Sequence, residues 1–279
     1  MNARTFCLVA FVTTAACAGT PAQTAAKPAK KRTSKDSPAT FPVQPTLSDV
    51  SYGSHPKQVL HFWKAESAKP APLLFFIHGG GWQGGNRSGG LSGILTQFLK
   101  AGISVVSVEY RFIAEARAEK VEPPVKAPLH DAARALQFVQ TKAAEWNIDK
   151  TRIAASGGSA GACSSLWLAF HDDLADPKSS DPVARESTRL FCAAVNGAQT
   201  TLDPQQMKEW TPNSRYGGHA FGFFKKLPGG QETADFEAFL AGRGKVLPWI
   251  KEYSPYALVS SDDPPVYLFY SAPPALGQD

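Results

Sequence analysis

Apolar residues occur along the chain in short, nearly unbroken runs, with longer intervals of mixed character between them. Five of these runs have the length of β-strands: Leu73–Ile77, Ile103–Val108, Ile153–Ala155, Cys192–Val195 and Val266–Tyr270. Such runs are typical of strands buried on both faces, as in a parallel sheet that helices cover on both sides. Upstream, Asp49–Gly53 and Gln58–Lys64 predict a short antiparallel pair at the start of the same sheet.

The intervals between the runs carry apolar residues at helical spacing. Three stripes of this kind predict helices over residues 91–99, 129–139 and 160–170. Gly102 is placed to end the first helix, and Pro128 fits the first turn of the second. Strands and helices that alternate in this way predict an α/β fold, with a mostly parallel central sheet and helices on both faces.

One interval is too long for a simple crossover between strands. About 70 residues separate Val195 from Val266, whereas a crossover needs on the order of a dozen residues or more. The excess predicts an inserted cap over about residues 200–250. Its aromatic residues either form the core of the insertion or line an acyl or alcohol pocket: Trp210, Tyr216, Phe221, Phe223, Phe224, Phe236, Phe239 and Trp249.

The charge of the chain is concentrated at one end. The 279 residues have a formal net charge of +5, but residues 1–35 hold six basic residues and no acidic residue. Beyond them, 23 basic residues face 24 acidic ones. The globular part is therefore close to neutral, and its charge does not indicate a nucleic-acid partner.

The same basic end has the pattern of an export signal. Arg4 precedes an apolar stretch, Phe6–Cys17, that is too short to span a bilayer and that ends in small residues suited to cleavage. Residues 1–18 are therefore predicted to be a signal peptide, and residues 19–47 a flexible linker. The protein is expected to be secreted or periplasmic with no membrane span, and a lipid anchor at Cys17 is the alternative.

Cysteine and histidine usage bears on metals and disulfides. Cys163 and Cys192 lie in the globular part, either as free buried thiols or as a disulfide. Histidines and cysteines are few and lack the spacing of metal ligands, and the glycine clusters lack the lysine of a P-loop. We therefore predict neither a metal nor an organic cofactor.

The motif with the clearest chemical meaning is Gly157-Gly158-Ser159-Ala160-Gly161, which follows a predicted strand and opens a predicted helix. In a G-x-S-x-G elbow, a tight turn lifts the serine hydroxyl clear of the sheet. The free N–H groups and the dipole of the helix favour negative charge beside that hydroxyl. Ser159 is therefore the candidate nucleophile of an acyl-transfer reaction.

A second glycine motif, His78-Gly79-Gly80-Gly81-Trp82, follows the first buried run. Consecutive glycines let the backbone turn its amides toward a developing oxyanion. Gly80 and Gly81, joined by the N–H of Ala160, are the candidate oxyanion hole. We expect His78 to hold the loop through a hydrogen bond, and Trp82 to pack beneath it or to bind substrate as a pocket wall.

Three motifs together resemble one protein family: His78–Trp82, Glu109–Arg111 and Gly157–Gly161. Their order and spacing are similar to those of hormone-sensitive-lipase-like carboxylesterases, which have the α/β-hydrolase fold. The bacterial branch with feruloyl and acetylxylan esterases is the most similar. The resemblance covers about residues 48–279, and it implies a serine carboxylesterase that acts on short-chain or carbohydrate-linked esters. Ser159 matches the family's nucleophile, while Arg111 and Asp131 match positions that brace the sheet and its helix.

The end of the chain departs from the family pattern, in which the catalytic residues follow the order Ser…Asp…His. Asp279 follows the last predicted strand and is the candidate acid, whereas Asp262 and Asp263 precede that strand and are expected at the opposite end of the sheet. No histidine lies beyond His219. We therefore expect that a helix, the last strand and the histidine loop are absent, and that this polypeptide is nearly inactive.

Two other functions remain open from the sequence. A serine peptidase or amidase uses the same fold and the same nucleophile elbow. A non-catalytic binding module would keep the fold without the chemistry.

Overall fold

The computed structural model describes residues 41–271. Within them the chain forms nine strands: β1 (Leu47–Ser51), β2 (Val59–Trp63), β3 (Ala71–Ile77), β4 (Ser104–Val108), β5 (Ile148–Gly158), β6 (Cys192–Asn196), β7 (Phe224–Lys226), β8 (Glu232–Ala234) and β9 (Val266–Phe269). Seven of them form one sheet in the order β1-β2-β4-β3-β5-β6-β9. β2 pairs antiparallel with β1 and β4, and the other neighbours are parallel. The sequence-based prediction of a mostly parallel sheet that starts with an antiparallel pair is confirmed.

Helices connect these strands. In the described part of the chain they are α1 (Ser92–Lys100), α2 (Ile113–Ala118), α3 (Lys126–Thr141), α4 (Ala143–Trp146), α5 (Ala160–Phe170), α6 (Pro204–Trp210), α7 (Phe236–Tyr253) and α8 (Pro255–Leu258), with a 3-10 helix at Gly218–Phe221. The three helices predicted from apolar stripes are α1, α3 and α5. Gly102 follows α1 with a φ of +74°, and Pro128 lies in the first turn of α3, as expected.

The central strand β3 shows why its sequence is apolar throughout. Leu73, Phe75 and Ile77 belong to the larger core cluster, on the face that α3 and α5 cover. Leu74 and Phe76 point to the other face and pack in a second cluster with residues of α1. Because alternate residues of a strand point to opposite faces, a strand between two helical layers has no position for a polar side chain.

The long interval between β6 and β9 folds into α6, the 3-10 helix, a β7–β8 hairpin, α7 and α8. The carboxylate of Asp235 accepts the N–H of Ala238 and so caps α7. Phe221 and Phe223 pack on Phe239 with ring centroids 5.2 Å apart in each pair. These aromatic residues therefore form a core of the insertion itself.

Strand β9 is the outer strand of the sheet on the side opposite β1. The side chains of residues 266–270 are exposed, and Tyr256 and Val259 beside them are more than half exposed. Together with Leu166 and Phe170 of α5, this surface lines an apolar cleft.

Some predictions concern residues outside the described range 41–271. The signal peptide, Cys17, most of the linker and Asp279 are among them. Within the range, Cys163 and Cys192 are free and buried, so the disulfide alternative is wrong. None of the helices formed by residues 41–271 has the length and apolarity needed to cross a membrane.

Candidate active site

Ser159 lies in a sharp turn between β5 and α5. Its backbone has a φ of +52° and a ψ of −121°, a conformation that residues with a side chain rarely adopt and that costs on the order of 1–3 kcal/mol. The N–H of Ser159 donates to the carbonyl oxygen of Asn196 over 3.0 Å, and its own carbonyl accepts the N–H of Cys163 over 2.9 Å. The side chain is exposed. The turn therefore presents the hydroxyl to a substrate, as the elbow motif requires.

Two glycines bring the elbow close to the end of β3. A Cβ on Gly157 would lie 2.3 Å from the carbonyl oxygen of Ile77, and a Cβ on Gly161 would lie 2.0 Å from the same atom. A Cβ on Gly79 would lie 2.6 Å from the carbonyl oxygen of Gly158. Only residues without a Cβ allow these backbone segments to approach so closely. The approach sets the elbow directly beside the glycine loop that follows β3.

The three carbonyls of the glycine loop are each held by a donor. Nδ1 of His78 donates to the Gly79 carbonyl over 2.7 Å, and the N–H of Gln83 donates to the Gly80 carbonyl over 3.0 Å. Nε2 of His219 donates to the Gly81 carbonyl over 2.9 Å. In a trans peptide the following N–H points away from the carbonyl. The bonds to the Gly79 and Gly80 carbonyls therefore fix the direction of the N–H groups of Gly80 and Gly81, for which residues 41–271 provide no acceptor.

The third candidate donor belongs to the first residue of α5. The N–H of Ala160 has no partner within the helix, because the first N–H groups of a helix have no preceding carbonyl to bond. It follows Ser159 directly in the chain. The structure thus has three unbonded amides, at Gly80, Gly81 and Ala160, in the two segments that meet at the elbow.

Trp82 is fully buried and does not line the cavity beside Ser159. Its indole N–H donates to the hydroxyl of Ser164 in α5 over 3.0 Å, and its carbonyl accepts the N–H of Ile113 over 2.8 Å. Trp82 therefore ties the glycine loop to the helix that carries Ser159. Of the two roles expected for Trp82, packing beneath the glycine loop agrees with this placement, and a position in the pocket wall does not.

The opposite side of the loop rests on a buried network around Glu109. Nε2 of His78 lies 3.2 Å from the carboxylate of Glu109, and the N–H of Arg87 donates to the same carboxylate over 3.3 Å. Burial alone would raise the pKa of Glu109, but the hydrogen bond from His78 and the positive charge of Lys57 hold it below its ordinary value. The carboxylate therefore stays ionised and fixes His78 in place.

Tyr110 supports the same histidine from its face. The two rings stack with centroids 4.3 Å apart, and the hydroxyl of Tyr110 donates to the His78 carbonyl over 2.7 Å. Burial holds the pKa of Tyr110 well above its ordinary value, so the hydroxyl remains a donor.

Arg111 and Asp131 form a brace behind the site. The Asp131 carboxylate accepts the N–H, Nε and one terminal nitrogen of Arg111 at 2.6–2.9 Å, and the side-chain amide of Gln58 at 2.7 Å. The brace links the end of β4, the loop before β2 and helix α3. Asp131 is almost completely buried, so these bonds compensate for the loss of its hydration.

A cavity of about 640 Å³ opens beside Ser159. Phe76 and Ile94 give it apolar walls, and Asn86 and Asn196 add polar groups next to the glycine loop and the elbow. Its size and mixed lining are typical of small-molecule sites. None of the eight aromatic residues of the insertion lines this cavity.

None of the histidines of residues 41–271 is hydrogen-bonded to the Ser159 hydroxyl. Both ring nitrogens of His78 are directed to other groups, and His171 pairs with Glu252 over 3.1 Å. His130 packs against Trp167, and burial together with Lys126 lowers its pKa to about 4. Within residues 41–271 the candidate nucleophile and the candidate oxyanion donors thus lie together, and no histidine of this range bonds to the nucleophile.

The two aspartates that precede β9 lie away from the site, as expected from the sequence. Asp262 and Asp263 bond to Ser260 in the turn before β9, at the end of the sheet opposite Ser159. Asp279 lies outside the described residues.

Three residues of the site were not identified from the sequence. His219, Arg87 and Asn196 reach the loop or the elbow through contacts between segments far apart in the chain. No local pattern marks such contacts. The one available signal was that His219 is the only histidine of the insertion.

Fold and site together define the class of the protein. A mostly parallel sheet with a G-x-S-x-G elbow after one inner strand and a His-Gly-Gly-Gly loop after its neighbour is the architecture of an α/β-hydrolase. The BD-FAE family model matches residues 61–273, a range that includes both glycine motifs. The chain belongs to the BD-FAE family.

Several curated relatives are named esterases. Esterase LipC of Mycobacterium tuberculosis is 31% identical over 116 residues, which are 40% of this chain and 27% of that protein. The probable carboxylic ester hydrolase LipM of the same organism is 30% identical over 151 residues, which are 52% of this chain and 32% of that protein. The chain thus spans about a third or less of the length of these relatives.

Solved structures of esterases share the fold. The acetyl ester-xyloside bifunctional hydrolase from Caldicellulosiruptor lactoaceticus has a TM-score of 0.53 and 25% identity, and the match covers 75% of this chain and 65% of that one. A truncated form of a carbohydrate esterase from gut microbiota has a TM-score of 0.60 and 20% identity, with 83% and 79% covered.

Proposed function

We propose that the protein is a serine carboxylic-ester hydrolase that works through an acyl-enzyme on Ser159. The observation that carries the proposal is the exposed serine at positive φ in the elbow, beside a loop whose three carbonyls are each bonded to a donor. Such a loop keeps its amides available for an oxyanion. The named activities of the relatives LipC and LipM support the same reaction class.

The reaction proceeds in two acyl transfers. A base takes the proton of the Ser159 hydroxyl while its oxygen attacks the ester carbonyl, whose π electrons move onto the carbonyl oxygen. The N–H groups of Gly80, Gly81 and Ala160 bind this oxyanion, and each donor of this kind stabilises the transition state by roughly 3–4 kcal/mol. The intermediate then re-forms the carbonyl and expels the alcohol oxygen, which takes the proton from the base. Water, which gives its proton to the same base, then attacks the carbonyl of the acyl-enzyme, and the second intermediate releases the acid and re-forms the Ser159 hydroxyl.

We further propose that none of the six histidines among the 279 residues is the general base. The bonds of His78, His171 and His219 to other groups support this, as does the burial of His130 against Trp167. Asp279 remains the proposed acid. A serine triad that lacks its histidine loses on the order of a million-fold in turnover, so the 279-residue polypeptide needs a base from elsewhere to reach an ordinary rate.

The proposed substrates are short-chain or carbohydrate-linked esters. A cavity of about 640 Å³ is large enough for a small acyl group together with part of an alcohol. The structural relative that is named an acetyl ester-xyloside hydrolase supports an acetylated sugar as the first substrate to test.

Amide hydrolysis is the second candidate. Kynurenine formamidase of Debaryomyces hansenii is 30% identical over 134 residues, which are 46% of this chain and 41% of that protein. The name of that relative denotes cleavage of a formyl amide, so an amide substrate belongs in the same assay.

The test uses protein expressed from the complete gene, with Ser159→Ala as the matched control. We expect hydrolysis of p-nitrophenyl acetate and acetylated xylo-oligosaccharides by the unchanged protein, no hydrolysis by the variant, and a fluorophosphonate adduct on Ser159. Cleavage of formyl or aminoacyl amides in preference to esters would favour the second candidate. Failure of Ser159 to react with the fluorophosphonate would overturn the assignment of the nucleophile.

We also propose that the protein is exported. The basic residues, the short apolar stretch and the small residues that follow support this. Sequencing of the mature N-terminus tests it. A chain that begins at Gly19 supports cleavage by signal peptidase, whereas a lipid-modified Cys17 would indicate an anchor and an intact Met1 would overturn export.

A further inference from the structure

Both ring nitrogens of His78 face oxygen atoms that accept hydrogen bonds. Nδ1 lies 2.7 Å from the carbonyl oxygen of Gly79, and Nε2 lies 3.2 Å from a carboxylate oxygen of Glu109. A carbonyl oxygen cannot donate, and neither can an ionised carboxylate. A neutral imidazole carries one N–H, so its second nitrogen would direct a lone pair at one of these oxygens. The pair therefore needs one more proton, either on the ring of His78 or on Glu109.

The surroundings of Glu109 favour a carboxylate without a proton. Its second oxygen accepts the backbone N–H of Arg87 over 3.3 Å and lies 3.5 Å from the guanidinium of the same residue. Burial opposes ionisation, but the bond and the charge of His78, the charge of Lys57 and the N–H of Arg87 hold the pKa of Glu109 below its ordinary value. The additional proton therefore belongs to the ring of His78.

The hydroxyl of Tyr110 does not change this count. It lies 3.3 Å from Nδ1 of His78, but it donates its one proton to the His78 carbonyl over 2.7 Å. Toward Nδ1 it therefore presents a lone pair, which is a further acceptor. The rings of Tyr110 and His78 are also nearly parallel, with centroids 4.3 Å apart and an angle of 13° between their planes. The face of an aromatic ring attracts a cation at this distance.

We propose that Glu109 is a positioning residue, which keeps His78 as an imidazolium behind the glycine loop. The Nδ1–H of this cation bonds the Gly79 carbonyl, which shares one peptide with the N–H of Gly80. The two groups of a trans peptide point in opposite directions, so the bond directs this N–H away from His78. A charged donor also polarises the peptide and makes its N–H a stronger donor. The benefit to an oxyanion rests on the proposed function, whereas the charge of His78 is a property of the structure alone.

The charge of His78 lies where an acyl-transfer site can use it. His78 is 2% exposed and belongs to the residues that line the cavity beside Ser159. A Cβ on Gly85 would lie 2.7 Å from Nδ1, so the chain closes over the bond to the loop and shields it from water. Electrostatic interactions are stronger where water is excluded. Glu109 lies beyond Nε2, so the positive charge is nearer to the loop than the negative charge.

The experiment locates the ring protons by neutron diffraction and measures kcat and KM for p-nitrophenyl acetate, in protein expressed from the complete gene. Crystals are grown at pH ~8, where an ordinary histidine has lost its second proton. Glu109→Gln keeps the size of the side chain and removes its charge, and its amide can donate to Nε2 of a neutral ring. Asp203→Asn is the matched control, because it replaces another buried carboxylate, which is paired with Arg243 and not bonded to the glycine loop.

In wild type we expect a proton on each ring nitrogen of His78 and none on Glu109. In Glu109→Gln we expect a single ring proton, on Nδ1. In the same variant kcat falls about tenfold, equivalent to about 1.4 kcal/mol, while KM is unchanged. The control Asp203→Asn keeps both protons on His78 and the kcat of wild type.

A wild-type His78 with one ring proton overturns the inference, and so does a His78 that keeps both protons in Glu109→Gln. A full kcat in Glu109→Gln, with one ring proton lost, overturns the effect on the oxyanion. If Glu109→Gln does not fold, the wild-type crystals decide: two ring protons support the inference, and one overturns it. A wild-type protein with both ring protons and no esterase activity refutes the proposed function alone, since the charge of His78 is then established.

Discussion

Replacement of Gly161 by alanine tests the close approach on which the site depends. The new methyl group would lie 2.0 Å from the carbonyl oxygen of Ile77 and 2.7 Å from that of His78. Ordinary contacts between carbon and a carbonyl oxygen begin at about 3.3 Å. Helix α5 therefore has to move away from β3 by roughly 1.3 Å, the difference between the 2.0 Å to the Ile77 oxygen and an ordinary contact of about 3.3 Å. Both obstructing atoms belong to the backbone, so no side chain can rotate to make room.

The magnitude follows from overpacking. An inserted methyl group that a core cannot accommodate costs typically about 1–3 kcal/mol, and we expect the upper end here because two backbone segments obstruct it. In a domain of this size, about 3 kcal/mol lowers Tm by roughly 6–12 °C. A displacement of about 1 Å at reacting groups can also cost about 100-fold in rate, so esterase activity should fall more steeply than stability.

The matched control is Gly93→Ala in α1. Gly93 is also a helical glycine, but a Cβ there meets nothing within 4 Å. Alanine should stabilise that helix by roughly 0.5–1 kcal/mol. Denaturant unfolding followed by circular dichroism, together with ester hydrolysis, checks both variants. If Gly161→Ala unfolds at the same denaturant concentration as wild type and keeps its kcat, helix α5 does not approach β3 as closely as described.

Three further substitutions test buried contacts outside the elbow. Asp131→Asn removes the charge that pairs with Arg111, and we expect a loss of about 2–4 kcal/mol in the free energy of unfolding by urea denaturation. Trp82→Phe removes the bond to Ser164, with a loss of about 1–2 kcal/mol and a larger relative loss of kcat, because the glycine loop is no longer tied to α5. His130 has a pKa of about 4 in the folded protein and about 6.5 when unfolded, so the unfolded chain binds the proton more readily. The destabilising effect of His130 is absent above pH ~6.5, grows as the pH falls and is complete below pH ~4. Between pH 7 and pH 4, the free energy of unfolding of wild type should therefore fall by about 2–3 kcal/mol more than that of His130→Leu.

Each of these expectations has an outcome that contradicts it. An Asp131→Asn variant as stable as wild type would mean that Arg111 finds another partner for its charge. If Trp82→Phe loses activity only in proportion to its loss of stability, the substitution weakens the whole fold and does not act on the glycine loop in particular. Parallel stability curves of wild type and His130→Leu between pH 7 and 4 would show that the folded protein protonates His130 as readily as the unfolded chain.

The parts of the fold that could be predicted from the sequence are those with a local signal. β3 has one because both of its faces are buried, and the elbow has one because its glycines are required within five consecutive residues. β5 was predicted only over Ile153–Ala155, although it spans Ile148–Gly158. Its first part, residues 149–152, is polar and largely exposed, so the apolar pattern that marks a buried strand is missing there.

Other elements were hidden by their composition or by distance along the chain. Helix α7 contains Gly242, Gly244 and Pro248, residues that normally count against a helix, and contacts with the rest of the insertion outweigh that local preference. The bond between His219 and Gly81 joins residues 138 positions apart. No short pattern predicts such a pair, so the sequence could identify the oxyanion loop but not the side chain that holds it.

The exposed apolar surface of β9 has a practical consequence for work in solution. The exposed rings of Tyr256 and Tyr267, together with the other exposed apolar side chains of β9, favour self-association as the protein concentration rises. Sedimentation velocity over a dilution series should therefore reveal a monomer at low concentration and larger species at high concentration. Tyr267→Lys should shift that balance toward the monomer, and kinetic measurements are best made on dilute samples.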